Sequence, residues 1–462
     1  MEIIMKHKLL ALLLILALLF SSLTLSGCSL FNQPDTEDPN LETGEGGEEE
    51  KEEPYTPPPS SYNPDNWFTD PIIPPTPDKP NEPELTFEEK LAAELTAVIT
   101  KIDFCIESYD GKFPGAYSNN HVYKTTGNTA GWIQGFWTGI LWQAYEITGD
   151  EKYATLADTH VDSFYKRIDE KLGVDNHDMG FLYTPSCIAA YKLKGDETAR
   201  AAAVMAADNL LTRYHSDPGF IQAWGEVGAA EEYRLIIDCL MNLPLLYWAS
   251  ETTGDEKYSS AADSHLALTL ATIYRDDGST YHTYFFDPET KLPSHGATKQ
   301  GDADDSTWAR GQSWAMYGPV LAYSYTGNAD ALAHFKAAAD CFINNLPSDY
   351  VPYWDFNYGE GSGEPRDASA GAIAVCALLE GCKYLEDSDP DKARYLEAAK
   401  NMTEAMIDHC SATGVPTANG LLIGATQNRK TEKGVEEMTP YGDYFYLEAL
   451  HRMSDPEWEA YW

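Results

Sequence analysis

Apolar residues recur with a helical spacing of about 3.6 residues along most of the chain. The pattern covers residues 85–462, which are enough for one large globular unit with a substantial core. The sequence therefore predicts a single helical domain over this range, and a second domain is not needed to account for it.

Tight turns divide the helical region into hairpins. A glycine followed by Asp or Asn ends one helical pattern and begins the next at positions 149, 195, 254 and 327, and residues 387–390 have the same character. Glycine favours the left-handed residue that closes a helix, and the Asp or Asn after it caps the next one. The spacings between the four glycines are 46, 59 and 73 residues.

An opening helix over residues 86–108 and a closing helix over residues 442–453 bring the predicted total to twelve. Twelve helices in hairpins of this length are typical of a closed toroid of six hairpins, the all-α (α/α)6 barrel. Long connections such as 276–305 and 346–366 join successive hairpins, so the N-termini of alternate helices should meet at one face. Because helix N-termini attract anions, we expect the functional site at that face.

The first 84 residues have a different pattern. Lys6 and Lys8 precede an apolar run over residues 9–20, and small residues then lead to Cys28. The run is shorter than the roughly 20 residues that span a bilayer, so residues 1–28 resemble a bacterial lipoprotein signal with a lipidated Cys28. A plain signal peptide with an incidental cysteine is the alternative.

Residues 29–84 are rich in Pro, Glu, Asp, Gly and Ser, a composition that predicts a disordered tether between the anchor and a catalytic domain over 85–462. We therefore expect an exported protein that its lipid holds at the bacterial cell surface. Contact with a membrane is expected only through this anchor, and the chain is expected to be a monomer or a weak dimer.

The net charge of −41, from 32 basic and 73 acidic residues, argues against a nucleic-acid partner, because phosphate binding needs a basic surface. An acidic ligand would have to be held locally, by a few arginines or by helix N-termini. The seven cysteines after Cys28 form no CxxC pair and predict buried thiols, although export leaves a single disulfide open.

The most informative segment is residues 231–248, which we predict as the sixth helix. Arg234, Asp238 and Asn242 are spaced four residues apart and would form one polar stripe on an otherwise apolar helix. A carboxylate in such surroundings is costly unless it is paired or functional, and desolvation would raise its pKa towards that of a general acid. An ion pair between Arg234 and Asp238 is the structural alternative.

Other candidate residues stand where helices begin at the expected site face. Asp178 precedes the fourth helix and could simply be its N-cap. Arg310 could bind a carboxylate through both ends of its guanidinium group. Trp132 and Trp314, near the starts of the second and eighth helices, suit stacking against a sugar, with core packing as the alternative for either tryptophan.

Motifs for metals and nucleotides are absent from the sequence, which contains no HExxH, phosphate loop, dinucleotide fingerprint or GxSxG. The histidines are scattered. His177 and His282 fall in predicted connections, where they could bind substrate or orient a water molecule. We therefore expect neither a metal nor an organic cofactor.

Four segments together resemble one known family, the unsaturated glucuronyl hydrolases of glycoside hydrolase family 88. They are HDMGF (177–181), LIIDCLMNLPLLYWA (235–249), QGDADDSTWARGQSWAMYG (300–318) and YGDYFYLEAL (441–450), in the family's order. The resemblance extends from residue 90 to the C-terminus and implies the same (α/α)6 barrel. Two departures are Tyr441, where family members commonly have tryptophan, and residues 424–438, which do not match the part that contacts the leaving sugar.

The resemblance also implies roles for individual residues. It makes Asp238 the general acid and base and Asp178 the second essential carboxylate. The substrate contacts that it implies are Trp132, His177, His282, Gln300, Arg310 and Trp314.

The activity implied by the resemblance is hydration of the C4=C5 double bond of an unsaturated uronic acid at the non-reducing end of a lyase-generated oligosaccharide. A keto-uronic acid would then be released. Relatives that act on unsaturated rhamnogalacturonan share the fold and the chemistry. A conventional inverting glycosidase, a sugar epimerase with histidine bases, and a surface lipoprotein that only binds sugar are the alternatives.

Overall fold

The computed structural model describes residues 85–462, so the predicted signal sequence, Cys28 and the tether lie outside the described residues. Within this range the helices form twelve rods, as the turn pattern predicts. They are α1 (Phe87–Tyr109), α2 (Gln134–Thr148), α3 (Glu151–Asp169), α4 (Met179–Tyr183) continued through a π-helical turn (Thr184–Ile188) into α5 (Ala189–Lys194), α6 (Glu197–Leu211), α7 (Leu243–Thr253), α8 (Lys257–Thr272), α9 (Ala309–Thr326), α10 (Ala329–Asn344), α11 (Ala368–Cys382), α12 (Pro390–His409) and α13 (Pro440–Ser454).

The glycine turns have the conformation that the sequence predicts. All four glycines have a positive φ, between 63° and 74°, and each adopts the left-handed conformation at the C-cap of its helix. They are Gly149, Gly195, Gly254 and Gly327. Asp and Asn side chains after three of them cap the following helices, as in the bond from Lys152 N–H to the Asp150 carboxylate at 3.0 Å. These local contacts turn the chain back on itself and produce the antiparallel hairpins.

The helices form two concentric layers. The inner layer consists of α2, α4 with α5, α7, α9, α11 and α13, and each of these packs against the next until α13 closes the ring on α2. Inner helices are buried on nearly every side, whereas outer helices such as α3 and α12 bury one stripe. This arrangement is the (α/α)6 barrel, and its core is the space that the inner helices enclose.

Small residues let the inner helices approach closely. A side chain on Gly135 of α2 would place its Cβ 2.2 Å from the backbone oxygen of Phe181, and one on Gly318 of α9 would lie 2.4 Å from Cβ of Leu240. Neither approach is possible for a larger residue.

Three short antiparallel sheets lie in the connections between hairpins. They comprise β1 (Phe113–Asn119) with β2 (Val122–Thr126), β3 (Tyr214–His215) with β4 (Phe220–Ile221), and β5 (Arg234–Ile236) with β6 (Thr283–Phe286) and β7 (Pro293–Ala297). In the last sheet Arg234 pairs with Phe285 and Ile236 with Thr283.

The predicted helix over residues 231–248 is therefore wrong in its first half. Residues 230–242 form a 3-10 turn (Ala230–Glu232), strand β5 and a second 3-10 turn (Ile237–Asn242), and α7 begins only at Leu243. The short apolar run over residues 235–237 is compatible with a strand or a helix, and residues 234–236 form a strand because they pair with β6. Pro244 indicates that a helix begins near Leu243, because proline suits the first turn of α7 and would cost about 3 kcal/mol inside a longer helix.

The cysteines of the described region agree with the expectation of buried thiols. All seven are free, and Cys341 is the one that is partly exposed. No helix within residues 85–462 is both long enough and apolar enough to cross a membrane.

Candidate active site

Asp238 lies in the 3-10 turn that follows β5. The backbone of Ile236 is extended (φ −129°, ψ 159°), and the turn that begins at Ile237 points the Asp238 side chain into the barrel mouth beside His177 and Asp178. The predicted polar stripe with Arg234 is wrong, since Arg234 belongs to a strand. Arg234 makes an ion pair with Glu232, with the two atoms 2.5 Å apart.

Asp178 occupies the N-cap position of α4, but its side chain makes no capping hydrogen bond. The capping acceptor is instead Asn242, whose Oδ1 accepts the N–H groups of Gly180 at 2.7 Å and Phe181 at 3.2 Å. The Asp178 carboxylate lies 3.3 Å from Nε2 of His177. The interpretation of Asp178 as an ordinary N-cap is therefore wrong.

His177, Asp178 and Asp238 form one cluster, with one side-chain ligand atom from each within 4.8 Å of the other two. Burial raises the pKa of Asp238 to about 7. Its Oδ1 is buried and has no hydrogen-bond partner among the described residues. Burial also lowers the pKa of His177 well below its usual range, so its ring is neutral near pH 7. The cluster can therefore hold and release one proton at neutral pH.

The same three side chains are also potential metal ligands. Ligand atoms on one zinc ion are roughly 3.3 Å apart, given bond lengths of about 2.0 to 2.1 Å. The atoms of the cluster are separated by up to 4.8 Å. At the widest separation that this limit allows, a tetrahedral zinc ion would require the three side chains to move closer to one another.

Asp443, in α13, is a second aspartate whose pKa burial raises to about 7. Its oxygens are all used in hydrogen bonds: Oδ1 accepts the N–H groups of Leu421 and Leu422 at 2.9 and 2.8 Å, and Oδ2 accepts the hydroxyl of Tyr123 at 2.9 Å. Asp443 therefore fixes a connection, whereas Asp238 keeps a buried oxygen that has no donor among residues 85–462.

Aromatic rings line the barrel next to the carboxylates. Trp132 is half-buried and stacks on Tyr441, with ring centroids 5.3 Å apart and planes 13° from parallel. Trp314 is only 1% exposed and packs between Phe181 and Phe445. Of the two predicted stacking residues, Trp132 thus has the exposed surface that a sugar could contact, and Trp314 lies beneath it in the core.

Arg310 is buried at the first turn of α9. It pairs with Asp367 at 2.5 Å, and it donates hydrogen bonds to the backbone oxygens of Thr426 at 2.7 Å and Gln427 at 2.9 Å. These contacts anchor the segment 424–438, for which the sequence suggested no role. Binding of a substrate carboxylate by Arg310 stays a prediction.

His282 and Gln300 lie on the same side of the mouth. Nε2 of His282 is 3.3 Å from Oε1 of Gln300, and Nε2 of Gln300 donates to the backbone oxygen of Gln427 at 3.1 Å. Burial lowers the pKa of His282 to about 3, so it is a neutral hydrogen-bonding group. Gln300 and Arg310 therefore bind the same loop through the backbone oxygen of Gln427, and His282 contacts Gln300.

Trp224 is a residue that the sequence reasoning missed. Its half-buried ring lies 6.4 Å from that of His177, and the guanidinium of Arg234 and the ammonium of Lys299 lie 4.5 and 5.9 Å from its centroid. It stands in an irregular connection without periodicity, so no sequence pattern could have identified it. Asn242 was noted as polar, but its capping role was not foreseen.

Comparisons with known proteins agree with this geometry. The family model described as Glycosyl Hydrolase Family 88 matches residues 105–454. The chain is 45% identical to the unsaturated chondroitin disaccharide hydrolase of Streptococcus agalactiae over 82% of its own length and 94% of the relative's. It is 42% identical to the unsaturated glucuronyl hydrolase of Bacillus sp. strain GL1, over 75% and 92% of the two chains.

Solved structures of such relatives superimpose on the chain. The crystal structure of unsaturated glucuronyl hydrolase from S. agalactiae gives a TM-score of 0.79 at 43% identity, covering 83% of this chain and 96% of the other. An aspartate-to-asparagine variant of that enzyme, complexed with dGlcA-GalNAc6S, gives a TM-score of 0.73 at 40% identity, with 83% and 95% covered.

Proposed function

Since the chain belongs to glycosyl hydrolase family 88, it hydrolyses oligosaccharides that carry an unsaturated uronic acid, and we propose that Asp238 performs the proton transfers. The observation that carries this proposal is the buried oxygen of Asp238, which has no hydrogen-bond partner within residues 85–462, together with its pKa of about 7. A group with this pKa is protonated in a large fraction of molecules at neutral pH and can also accept a proton.

The proposed reaction is hydration. Asp238 in its acid form donates a proton to C4 of the sugar, and positive charge develops at C5 and on the ring oxygen. The Asp238 carboxylate then accepts a proton from the water molecule that attacks C5. The resulting hemiketal opens by cleavage of the bond between C5 and the ring oxygen, which leaves a hemiacetal at C1. This hemiacetal breaks down to the leaving sugar and a keto-uronic acid, without direct attack at the anomeric carbon.

Asp178 and His177 support this chemistry by their charges. Asp178 supplies a second carboxylate next to Asp238, which favours the positive charge that develops at C5. His177 is neutral and can donate or accept a hydrogen bond without adding a competing positive charge. Trp132 and Trp224 offer half-buried ring faces for the sugar.

The distance between the carboxylates argues against a conventional inverting glycosidase. Such enzymes need their two carboxyl groups about 6.5 to 9.5 Å apart, to leave room for a water molecule on the far side of the sugar. Ligand atoms of Asp178 and Asp238 are within 4.8 Å of each other. A sugar-binding lipoprotein without activity would have no need of a carboxyl group with a raised pKa.

We propose an unsaturated chondroitin disaccharide as the first substrate to test, because relatives with 42 to 45% identity bear that name and one was crystallised with dGlcA-GalNAc6S. The assay follows the loss of ultraviolet absorbance of the conjugated double bond. Unsaturated disaccharides from chondroitin, heparin and rhamnogalacturonan lyases should be compared, each beside its saturated counterpart. Turnover of the saturated sugar at a similar rate would refute hydration.

We also propose that the protein is exported and anchored by a lipid on Cys28. The support is the sequence alone: basic residues, a short apolar run and a cysteine after small residues, followed by a polar tether. Cells that express the full chain should incorporate labelled palmitate into it, and Cys28→Ser should abolish the label. Cys341→Ser, which replaces a partly exposed cysteine of the barrel, is the matched control.

A further inference from the structure

Asn242 connects the two segments that carry the carboxylates. It is 1% exposed and ends the 3-10 turn that begins at Ile237. Its Oδ1 accepts two N–H groups at the start of α4, and its Nδ2 donates to the backbone oxygen of Asp238 at 3.2 Å. Three of the four hydrogen bonds that an asparagine amide can make are therefore used: two join the turn to α4, and the third holds the amide against the backbone of its own turn.

The two N–H groups bound by Asn242 are those that an N-cap side chain normally binds. With Asp178 at the N-cap, Gly180 and Phe181 are the second and third residues of α4, and a capping oxygen usually accepts from just these positions. Asp178 could reach them with its own carboxylate, because aspartate is among the preferred capping residues. Asn242 does this instead, and Asp178 faces His177 and Asp238.

Gly180 makes the contact possible. A Cβ on Gly180 would lie 2.5 Å from Cα and 2.8 Å from Oδ1 of Asn242. Any larger residue would push the turn away from α4 and break the hydrogen bonds of Asn242. The glycine of the HDMGF segment is thus explained by the close approach of the turn that bears Asp238.

We infer that Asn242 is a positioning residue, which caps α4 in place of Asp178 and thereby holds the Asp178 carboxylate beside Asp238. This inference rests on the proposed function, because it assigns Asn242 a role in the same reaction. A positioning role and a purely structural role of Asn242 predict different results. If Asn242 positions Asp178, loss of the Asn242 amide should release Asp178 to cap its own helix.

The first test is Asn242→Ala. If Asp178 turns to cap α4, kcat should fall by about 10-fold or more, while KM stays within about threefold because no substrate contact is removed. The alkaline limb of the pH–rate profile should move to lower pH, because a negative charge leaves the neighbourhood of Asp238. Asn419→Ala is the matched control, since Asn419 also joins buried backbone groups, those of Tyr123, but contacts neither carboxylate.

A double variant separates positioning from general damage to the fold. In an Asp178→Asn background, Asn242→Ala should reduce kcat by no more than about threefold further, because the side chain that it positions is already neutral. Asn242→Asp keeps an acceptor for both N–H groups and adds a negative charge. The new carboxylate loses the bond to the backbone oxygen of Asp238, so Asn242→Asp should keep Asp178 in place while it destabilises the turn, and it should shift the alkaline limb to higher pH.

A crystal structure of Asn242→Ala provides a readout that does not depend on activity. We expect an Asp178 oxygen within hydrogen-bond distance of the N–H of Gly180 or Phe181. An unmoved Asp178 would overturn the inference, as would an Asn242→Ala enzyme with wild-type kcat and pH profile. If the wild-type protein failed to turn over unsaturated disaccharides, the proposed function would fall, and the position of Asp178 in this crystal structure would still decide the inference.

Discussion

Replacing Asp238 with asparagine removes the titrating group and changes the shape of the side chain very little. The proposed reaction requires one side chain to donate a proton to C4 and to accept one from water, and an amide can do neither. Asp238→Asn should therefore lose at least the roughly 10²- to 10⁴-fold that general acid and base catalysis supplies. Loss of ultraviolet absorbance under single-turnover conditions measures this directly.

Asp238→Asn should lower activity but raise the free energy of unfolding at neutral and alkaline pH. Burial raises the pKa of Asp238 from 3.8 to about 7. The folded protein keeps this proton up to about pH 7, whereas the unfolded chain releases it near pH 3.8, so the carboxyl lowers the free energy of unfolding as the pH rises through that window. At about 1.4 kcal/mol per pH unit, the loss reaches at most about 4 kcal/mol above pH 7.

Asp238→Asn should thus match the wild type in denaturant unfolding near pH 4 and exceed it in stability at pH 8. The pH dependence of kcat/KM provides a second check, because the wild-type rate should fall above about pH 7 as Asp238 loses its proton. Asp443→Asn is the control, since Asp443 has a similarly raised pKa but an asparagine could keep its contacts. An active Asp238→Asn enzyme, or an alkaline limb that disappears in Asp443→Asn, would refute this reasoning.

Four further outcomes are expected. Asp178→Asn should reduce kcat without the loss of about 1 kcal/mol that removal of a cap causes, as kinetics and thermal unfolding would reveal. Arg310→Lys should raise KM and lower the melting temperature, because lysine cannot keep the bonds to Asp367 and both backbone oxygens. A chain that starts at Pro83 should fold with full turnover, and an insoluble product would contradict this. Hydrolysis in heavy-oxygen water should label C5 of the uronic acid, and label at an anomeric carbon would contradict hydration.

The helical hairpins could be predicted because their signals are local. Gly149, Gly195, Gly254 and Gly327 adopt the left-handed conformation that glycine favours, and the residues after them begin new helices within one or two positions of those expected. Twelve helices joined by such turns leave few architectures other than a closed toroid. The contacts that define these turns span only a few residues, so a short stretch of sequence is enough to predict each turn.

The region around Asp238 could not be predicted in this way. Residues 234–236 form a strand because β6, almost 50 residues later, supplies the pairing partner. Spacing alone made Arg234, Asp238 and Asn242 one helical stripe, and the structure divides them among a strand and a 3-10 turn. Long-range pairing overrode a local pattern that fits both structures.

Spacing and predicted helix starts single out Asp238, Asp178 and Arg310, but the assignment of these residues to one site comes from the resemblance. Nothing in the spacing of Asp178 and Asp238 brings them together, because 60 positions separate them in sequence. The partner of Arg310, Asp367, and the capping role of Asn242 are likewise contacts between distant segments. The helical pattern gives the direction of each element, but the packing of the inner ring decides which side chains meet.

The barrel accounts for a single aspartate that can serve as both acid and base. A carboxyl group donates protons at neutral pH when its pKa is raised, and burial among the apolar and aromatic side chains of the inner helices raises the pKa of Asp238. Desolvation alone would leave Asp238 without a negative charge beside the developing cation, and in the proposed reaction Asp178 supplies that charge from the start of α4. The closed inner ring of six helices can hold both carboxylates at this separation, because Asp178 lies at the start of α4, Asp238 lies in the turn before α7, and Asn242 joins these two segments.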